Sequence, residues 1–146
     1  MPRALAGGEG GEGGGDMRQR DSLSLVLKAV TPSRNEVDKH HWGWRAKQVD
    51  HWIEMLTEAL SDQHLLGFRA PALRHATVIF TRIGKRILDD DNLSGGMKQL
   101  RDALTRRALI MDDSPQWMDA LYRQRRCPKG KSPHTLVTIV WDRAAS

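Results

Sequence analysis

Four short strand-like segments and two longer stretches with helical spacing limit what this chain can fold into. The strand-like segments are residues 24–30, 75–82, 117–125 and 135–141. Apolar residues recur at steps of three and four over residues 42–60 and again over residues 93–108, which predicts two helices. The elements do not follow a strict β-α-β rhythm. The pattern therefore predicts an α+β domain with a mixed sheet of about four strands and two main helices.

The size and composition of the chain exclude several classes of protein. With 146 residues, 39% of them apolar and 28% charged, it has the profile of one soluble domain. No apolar run approaches the roughly 18 to 20 residues of a membrane helix, so we expect no membrane association. The single cysteine, Cys127, cannot form an internal disulfide, which favours a cytoplasmic location. The sequence has no phosphate-binding glycine-rich loop of the nucleotide-binding type, so we expect no nucleotide cofactor.

Charge is unevenly distributed along the chain. Residues 1–20 hold seven of the thirteen glycines and are predicted to form a disordered tail, with the folded domain at residues 21–146. The tail is neutral, so the net charge of +5 belongs to the domain. Residues 89–113 contain six aspartates against four basic residues, an acidic centre in a basic body. A basic body suits a polyanion and an acidic centre suits a divalent cation, although ordinary charge scatter is an alternative.

Asp89 and Asp91 are the first candidates for a metal site. If the second strand continues across Gly84 to Asp91, its alternation points both carboxylates to the same side, where they could share Mg²⁺ or Mn²⁺. A bound Mg²⁺ keeps positions for a phosphate oxygen and an attacking water. The alternative is helix capping, because aspartates often precede a helix, and Asp91 or Asn92 is the natural N-cap of the helix that follows.

A longer series of residues resembles a known family. The chain contains, in order, Leu88-Asp89-Asp90-Asp91-Asn92-Leu93, Lys98, Arg101-Asp102-Ala103-Leu104-Thr105 and Met111-Asp112-Asp113. This series resembles the RusA family of Holliday junction resolvases, whose hallmark is Asp-x-Asp-Asn-Leu, a lysine, a helix with Asp-Ala-Leu, and an Asp-Asp pair. The likeness is strong over about a fifth of the chain. A weaker likeness is Pro32-Ser33-x-Asn35, which resembles the family's Pro-Ser-Asn turn.

The resemblance implies a homodimeric, Mg²⁺-dependent endodeoxyribonuclease that resolves Holliday junctions or related branched DNA by phosphodiester hydrolysis. Its metal-binding aspartates fall on Asp89, Asp91 and Asp113, and its essential lysine on Lys98, so these four are the catalytic candidates. Asp112, the neighbour of Asp113, is the next candidate for a metal-binding residue. Relative to the family pattern, residues 94–96 are surplus, and Lys98 aligns only when it is counted backward from Asp102.

The position of Asp113 raises a geometric question. A straight helix over residues 93–108 would be about 24 Å long, which is too far for Asp113 to share an ion with Asp89. Either residues 109–112 fold back along the helix, or Asp113 meets the aspartates of a second subunit across a two-fold axis. We expect the return to occur within one subunit.

The basic residues near the C-terminus are candidates for DNA binding. The densest basic run consists of Arg123, Arg125, Arg126, Lys129 and Lys131. It could hold the DNA backbone by charge, or it could be a solvated hairpin tip. Trp42, Trp44 and Trp52 could stack on unpaired bases, but at helical spacing they more often belong to a core. A rival function is a non-catalytic DNA-binding or assembly protein with the same fold, whose aspartates only cap a helix.

Overall fold

The computed structural model describes residues 21–143, so the predicted N-terminal tail lies outside the described residues. In chain order, the elements are β1 (Ser22–Leu27), α1 (Arg34–Asp38), α2 (Trp42–Asp62), β2 (Ala76–Gly84), α3 (Asp90–Gly95), α4 (Lys98–Arg106), β3 (Met118–Arg126) and β4 (His134–Trp141). The predicted α+β class is confirmed, with α2 and α4 as the two main helices. None of the helices in the described part of the chain is long and apolar enough to cross a membrane.

The four strands form one mixed sheet in the order β1-β4-β2-β3. β4 is antiparallel to both of its neighbours, β1 and β2, whereas β3 runs parallel to β2 at the edge of the sheet. The register places Phe80 opposite Tyr122 on one side and opposite Val137 on the other. A parallel pair needs a crossover connection, and here α3 and α4 supply it between β2 and β3.

Alternation along the strands divides the sheet into a covered face and an open face. Leu23, Leu25, Val78, Phe80 and Val137 point to the same face and are almost completely buried. The helices cover this face: α2 contributes Trp52, Leu56 and Leu60 to the core, and α4 contributes Leu100 and Leu104. Residues of the open face, such as Val26 and Leu121, are exposed. The open face follows from the strand period of two, with hydrophobic residues directed under one layer of helices.

The predicted long helix is confirmed as α2, with one difference in its apolar stripe. The buried stripe begins at Val49, while Ala46 is exposed and Trp42 is 79% exposed. Trp44 stacks on His40 with the ring centroids 3.9 Å apart, and Trp52 lies in the core. The first two turns of α2 therefore lie outside the hydrophobic core.

The predicted helix over residues 93–108 is wrong as a single element. The structure divides it into α3, which ends at Gly95, and α4, which begins at Lys98. A close tertiary contact lies at this break: a Cβ on Gly96 would lie 1.8 Å from the carbonyl oxygen of Pro32, so only glycine fits there. The chain bends where it passes over this carbonyl. Of the residues that were surplus to the family pattern, Ser94 and Gly95 end α3, and Gly96 begins the connection to α4.

The prediction that the second strand reaches Leu88 is also wrong. β2 ends at Gly84, which pairs with the last residue of β3, Arg126. On its other side, the pairing of β2 with β4 ends at Ile83. Beyond Gly84 neither neighbouring strand offers further backbone partners, so the chain leaves the sheet. The remaining strand predictions are confirmed, with boundaries that differ by up to three residues.

Candidate functional site

Asp89 caps a helix instead of ending a strand, and the predicted caps at Asp91 and Asn92 are therefore wrong. Asp89 is the N-cap of α3: its Oδ1 accepts a hydrogen bond from the backbone N of Asn92 at 2.9 Å. Its Oδ2 accepts one from the side-chain nitrogen of Asn92 at 3.2 Å. Asp90 and Asp91 follow in the first turn of α3, and both are exposed. The carboxylates of Asp89 and Asp91 consequently belong to a helix start, and strand alternation does not relate them.

Asn92 links the aspartate segment to the turn that precedes α1. Its Oδ1 accepts a hydrogen bond from the backbone N of Asn35 at 2.9 Å, while its Nδ2 donates to Asp89. The same turn is held from the other side by Arg82, whose Nε donates to the carbonyl oxygen of Thr31 at 2.9 Å. The two segments with the resemblance, residues 32–35 and 88–93, are therefore in direct contact, although more than fifty residues separate them in the sequence.

Gln124 of β3 fixes the segment immediately before Asp89. Its Oε1 accepts a hydrogen bond from the backbone N of Leu88 at 2.9 Å, and its Nε2 donates to the carbonyl oxygen of Leu88 at 2.6 Å. These two bonds imitate the pairing of a neighbouring strand at the point where β2 has left the sheet. Gln124 thus positions the aspartate segment against the edge strand.

Gln124→Leu should lower the free energy of unfolding by about 1–3 kcal/mol, because it removes both partners of the Leu88 backbone. Chemical denaturation measures this loss, and hydrogen exchange of the Leu88 amide should become faster. Gln116→Leu is the matched control, since Gln116 is exposed in the turn before β3. If the two variants unfold at the same denaturant concentration, Gln124 does not hold the segment.

Lys98 is the first residue of α4, and its side chain is exposed. The break at Gly96 places it at the start of a new helix, so the surplus residues do not carry it around a continuous helix. Asp102 lies one turn further along α4, and the positive charge of Lys98 acts against the effect of burial on that carboxyl. Burial, assisted by the negative charge of Asp113, raises the pKa of Asp102 above its usual value.

Asp113 returns along α4. After α4 the chain reverses at Ala108, which has a left-handed backbone with φ of 62°. Asp113 then lies with its Oδ2 3.9 Å from Nε of Arg101. Nη1 of Arg101 also donates to the hydroxyl of Tyr122 at 2.7 Å. Residues 109–112 thus fold back along the helix within one subunit, which is the first of the two alternatives considered for Asp113.

Two residues of β3 connect these two parts of the site. Tyr122 contacts Arg101, which is next to Asp113, and Gln124 holds Leu88, which precedes Asp89. Tyr122 and Gln124 are two residues apart on the same face of a strand, which corresponds to about 7 Å. The aspartate segment and the Arg101–Asp113 pair are therefore both anchored to the covered side of the edge strand.

Within residues 21–143, no three acidic, histidine or cysteine side chains come close enough to form a metal-binding group. Asp89, Asp91 and Asp113 are thus not gathered around one point. The carboxylate oxygens of these aspartates are nevertheless suitable ligands for Mg²⁺, which is often held by one or two carboxylates together with waters and substrate phosphates. A carboxylate has about four lone-pair positions, and the contacts of Asp89 with Asn92 occupy two of them.

The predicted DNA-binding run divides between two parts of the surface. Arg123 and Arg125 are exposed, and by alternation they lie on the open face of the sheet, away from Tyr122 and Gln124. Arg126, Lys129 and Lys131 are also exposed, at the end of β3 and in the connection to β4. The run therefore does not join Lys98 on the covered side, although both border the same edge strand.

A cavity of about 410 Å³ adjoins Lys98, and the sequence analysis missed most of its lining. Its polar and charged lining residues are Arg34, Asp38, Arg45, Ser94, Lys98, Gln99, Arg101 and Tyr122. They come from α1, α2, α3, α4 and β3. These lining residues are scattered over the sequence and form no motif. The only sequence signal for such a cavity was the excess of basic residues in the domain.

No protein-family model matches the chain, and no curated protein matches it. The assignment of function therefore depends on the residues and contacts of this chain. Among the residues to which the sequence assigned no role, Gln124 and Arg101 have the clearest positioning roles. Arg101 could have been found from its place beside Asp102 in the resembling series, whereas nothing near Gln124 in the sequence marks it.

Proposed function

We propose that this protein is a metal-dependent, structure-selective endodeoxyribonuclease that hydrolyses phosphodiesters in four-way or related branched DNA. The observation that carries the proposal is the arrangement on the covered side of β3. There, Gln124 holds the segment of Asp89, and Tyr122 contacts the Arg101 that pairs with Asp113. Residues of the resembling series thus contact the same edge strand. Residues that act together on one phosphate would need to be held on one side of the fold in this way.

Asp89, Asp91 and Asp113 would hold Mg²⁺ or Mn²⁺ in this proposal. When bound, the metal supplies an activated water and a Lewis acid for the phosphate. Lys98 is exposed beside the cavity and offsets negative charge on the scissile phosphate. Arg101 orients Asp113 through their ion pair, and the hydroxyl of Tyr122 holds Arg101 in place.

DNA is the substrate that the charge of the chain favours. The net charge of +5 and the exposed residues Arg123, Arg125 and Arg126 suit contacts with the phosphate backbone, which position DNA without reading its sequence. A two-fold homodimer would present two such sites symmetrically, as needed to cut two opposed strands of a four-way junction. The return of Asp113 within one chain favours two complete sites in a dimer.

Cleavage of a synthetic four-way junction should require Mg²⁺ or Mn²⁺. The metal-free protein should bind the junction, and adding metal should produce two symmetric cuts, which a denaturing gel detects. A linear duplex of the same sequence is the control and should remain intact, because the proposal places selectivity in the branch. Junction cutting in the presence of excess chelator would contradict a metal-dependent mechanism.

A second candidate function is non-catalytic DNA binding or assembly. The contacts of Asp89 favour it, because both carboxylate oxygens accept hydrogen bonds from Asn92, as in an ordinary helix cap. This function predicts junction binding in the metal-free protein, with no cutting after metal is added. The same gel therefore distinguishes the two candidates.

A further inference from the structure

The open face of the sheet is apolar at its centre. Its apolar residues, taken from all four strands, are Val26, Ile79, Leu121, Leu136 and Val140. In the part of the chain that the structure describes, Val26 remains 57% exposed and Leu121 remains 45% exposed. A sheet with one solvated face usually directs polar residues to it, and a contiguous exposed apolar patch marks an interaction surface. The open face therefore has the character of a docking surface.

The polar residues among these apolar ones carry hydroxyl groups. Ile79 lies opposite Leu121 of β3 on one side and opposite Thr138 of β4 on the other. Thr138 in turn lies opposite Ser24 of β1, and the two hydroxyl oxygens are 3.3 Å apart, within hydrogen-bond distance. Covering the centre of the face would therefore not leave these two hydroxyls without a partner.

The aspartate and arginine residues on the open side of the four strands all belong to the edge strand β3, and their sign changes along it. Asp119 lies near its start, with a side chain that is 70% exposed and 3.6 Å from Nε2 of His75. Arg123 and Arg125 follow toward its end and are exposed. Leu121 lies midway between Asp119 and Arg123, about 7 Å from each along the strand. Reversing the direction of β3 therefore exchanges a negative position for a positive one.

This charge pattern is complementary to itself. Two sheets that pack face to face keep their strands nearly aligned, about 10 Å apart. A two-fold axis that crosses the strands at the level of Leu121 places Arg123 over the partner's Asp119. The register puts Leu136 level with Arg123, and Val140 level with Asp119. The same axis therefore also places Leu136 over the partner's Val140, and Leu121 over the partner's Leu121.

The other two-fold arrangement of two packed sheets lacks this complementarity. An axis parallel to the strands would place β3 over β1 of the second copy. Arg123 would then lie over the partner's Val26, because the register puts these two residues in the same row across the sheet. A charge covered by an apolar side chain loses its hydration without gaining a partner. The charges of β3 thus favour the axis that crosses the strands.

We propose that the open face of the sheet binds the same face of a second copy of this chain, with the two β3 strands antiparallel across the interface and Arg123 paired with the partner's Asp119. The inference rests on the proposed function only for the homodimer, whose surface it specifies. The helices lie on the opposite face of the sheet, so this interface leaves the candidate site of each subunit accessible. Arg123 then belongs to the interface, and Arg125 and Arg126 remain for the DNA backbone.

Sedimentation equilibrium of the full chain, without DNA or metal, tests this interface, and we expect a dimer. Arg123→Asp and Asp119→Arg each turn the attractive pairs into repulsive ones, so each should raise the dissociation constant of the dimer at least about 30-fold. An equal mixture of the two variants should recover the affinity to within about threefold, because both pairs in the mixed dimer are again opposite in charge. Arg125→Asp is the matched control: it makes the same change of charge on the same strand, beyond the paired positions, and should alter the dissociation constant by less than about threefold.

Several results would overturn the proposal. One is a chain that stays monomeric, as it would if its own residues 1–20 occupied the face. Another is a dimer that neither charge reversal weakens, because it would use a different surface. Single variants that stay monomeric when mixed would also contradict the antiparallel pairing. If the reversals lowered junction binding without changing the mass, the face would bind DNA instead. Failure of junction cutting in the metal experiment would contradict the nuclease function and leave this interface unaffected.

Discussion

Asp91→Asn should lower the rate of junction cutting by a factor of about 10³ or more while binding of the junction remains within about twofold. Asp91 is exposed in the first turn of α3, and it does not cap that helix, so the substitution removes a carboxylate without disturbing the fold. Single-turnover cleavage with excess protein measures the loss. A gel-shift titration of the same variant without metal measures binding.

Asp90→Asn is the matched control, because Asp90 is exposed in the same turn and belongs to the position that the family pattern leaves open. It should cut at nearly the rate of the unaltered protein. Equal activity of the two variants would contradict the metal role of Asp91 and support the non-catalytic function. A loss of junction binding in the Asp91 variant would instead indicate a structural role.

Asp89 can be tested separately from its capping function. Asn is about as good an N-cap as Asp, so Asp89→Asn should leave the free energy of unfolding nearly unchanged. If Asp89 contributes only a cap, this variant should also cut normally. Loss of cutting with unchanged stability would separate a metal-binding carboxylate from a helix cap, which the hydrogen bonds to Asn92 alone do not do.

The strands and α2 could be predicted from the sequence because their signals are local. Apolar residues at alternate positions mark the strands, and the stripe from Val49 to Leu60 marks α2, since both patterns reflect burial against one covered face. The break at Gly96 does not appear in the apolar pattern over residues 93–108. The carbonyl oxygen of Pro32, more than sixty residues earlier, lies so close to Gly96 that only glycine fits there, and a local pattern does not contain this contact.

In the candidate site, too, local features could be predicted from the sequence and long-range contacts could not. The residues of the resembling series were noticed because they are close in sequence, and the return of Asp113 within one subunit was expected. The strand geometry of Asp89 and Asp91 was predicted incorrectly, since the end of β2 depends on where β3 and β4 stop. The partners of these residues were missed. Gln124 reaches back 36 residues to Leu88, and Arg34 and Gln99 meet the same cavity from distant helices. Such contacts exist only once the sheet and the helices have been assembled.

Gly96→Ala should destabilise the fold by about 3 kcal/mol, near the upper end of the usual cost of overpacking, and lower the melting temperature by roughly 10 °C. The added Cβ would lie 1.8 Å from the carbonyl oxygen of Pro32 and 2.8 Å from its carbonyl carbon. Both are backbone atoms, so no side-chain rotation can relieve the overlap. The turn before α1 must move away from the connection between α3 and α4. Thermal and chemical denaturation measure the effect.

Gly67→Ala is the control, because an added Cβ there meets nothing within 4 Å. It should be neutral or slightly stabilising, since alanine restricts the unfolded chain more than glycine does. Movement of the Pro32 turn should also weaken the contact between Asn35 and Asn92, so the remaining folded Gly96→Ala protein should cut more slowly. Equal melting temperatures of the two alanine variants would mean that the connection does not approach Pro32 closely. In that case the glycine at position 96 would need another explanation, and only the Asn35–Asn92 hydrogen bond would link the turn to the aspartate segment.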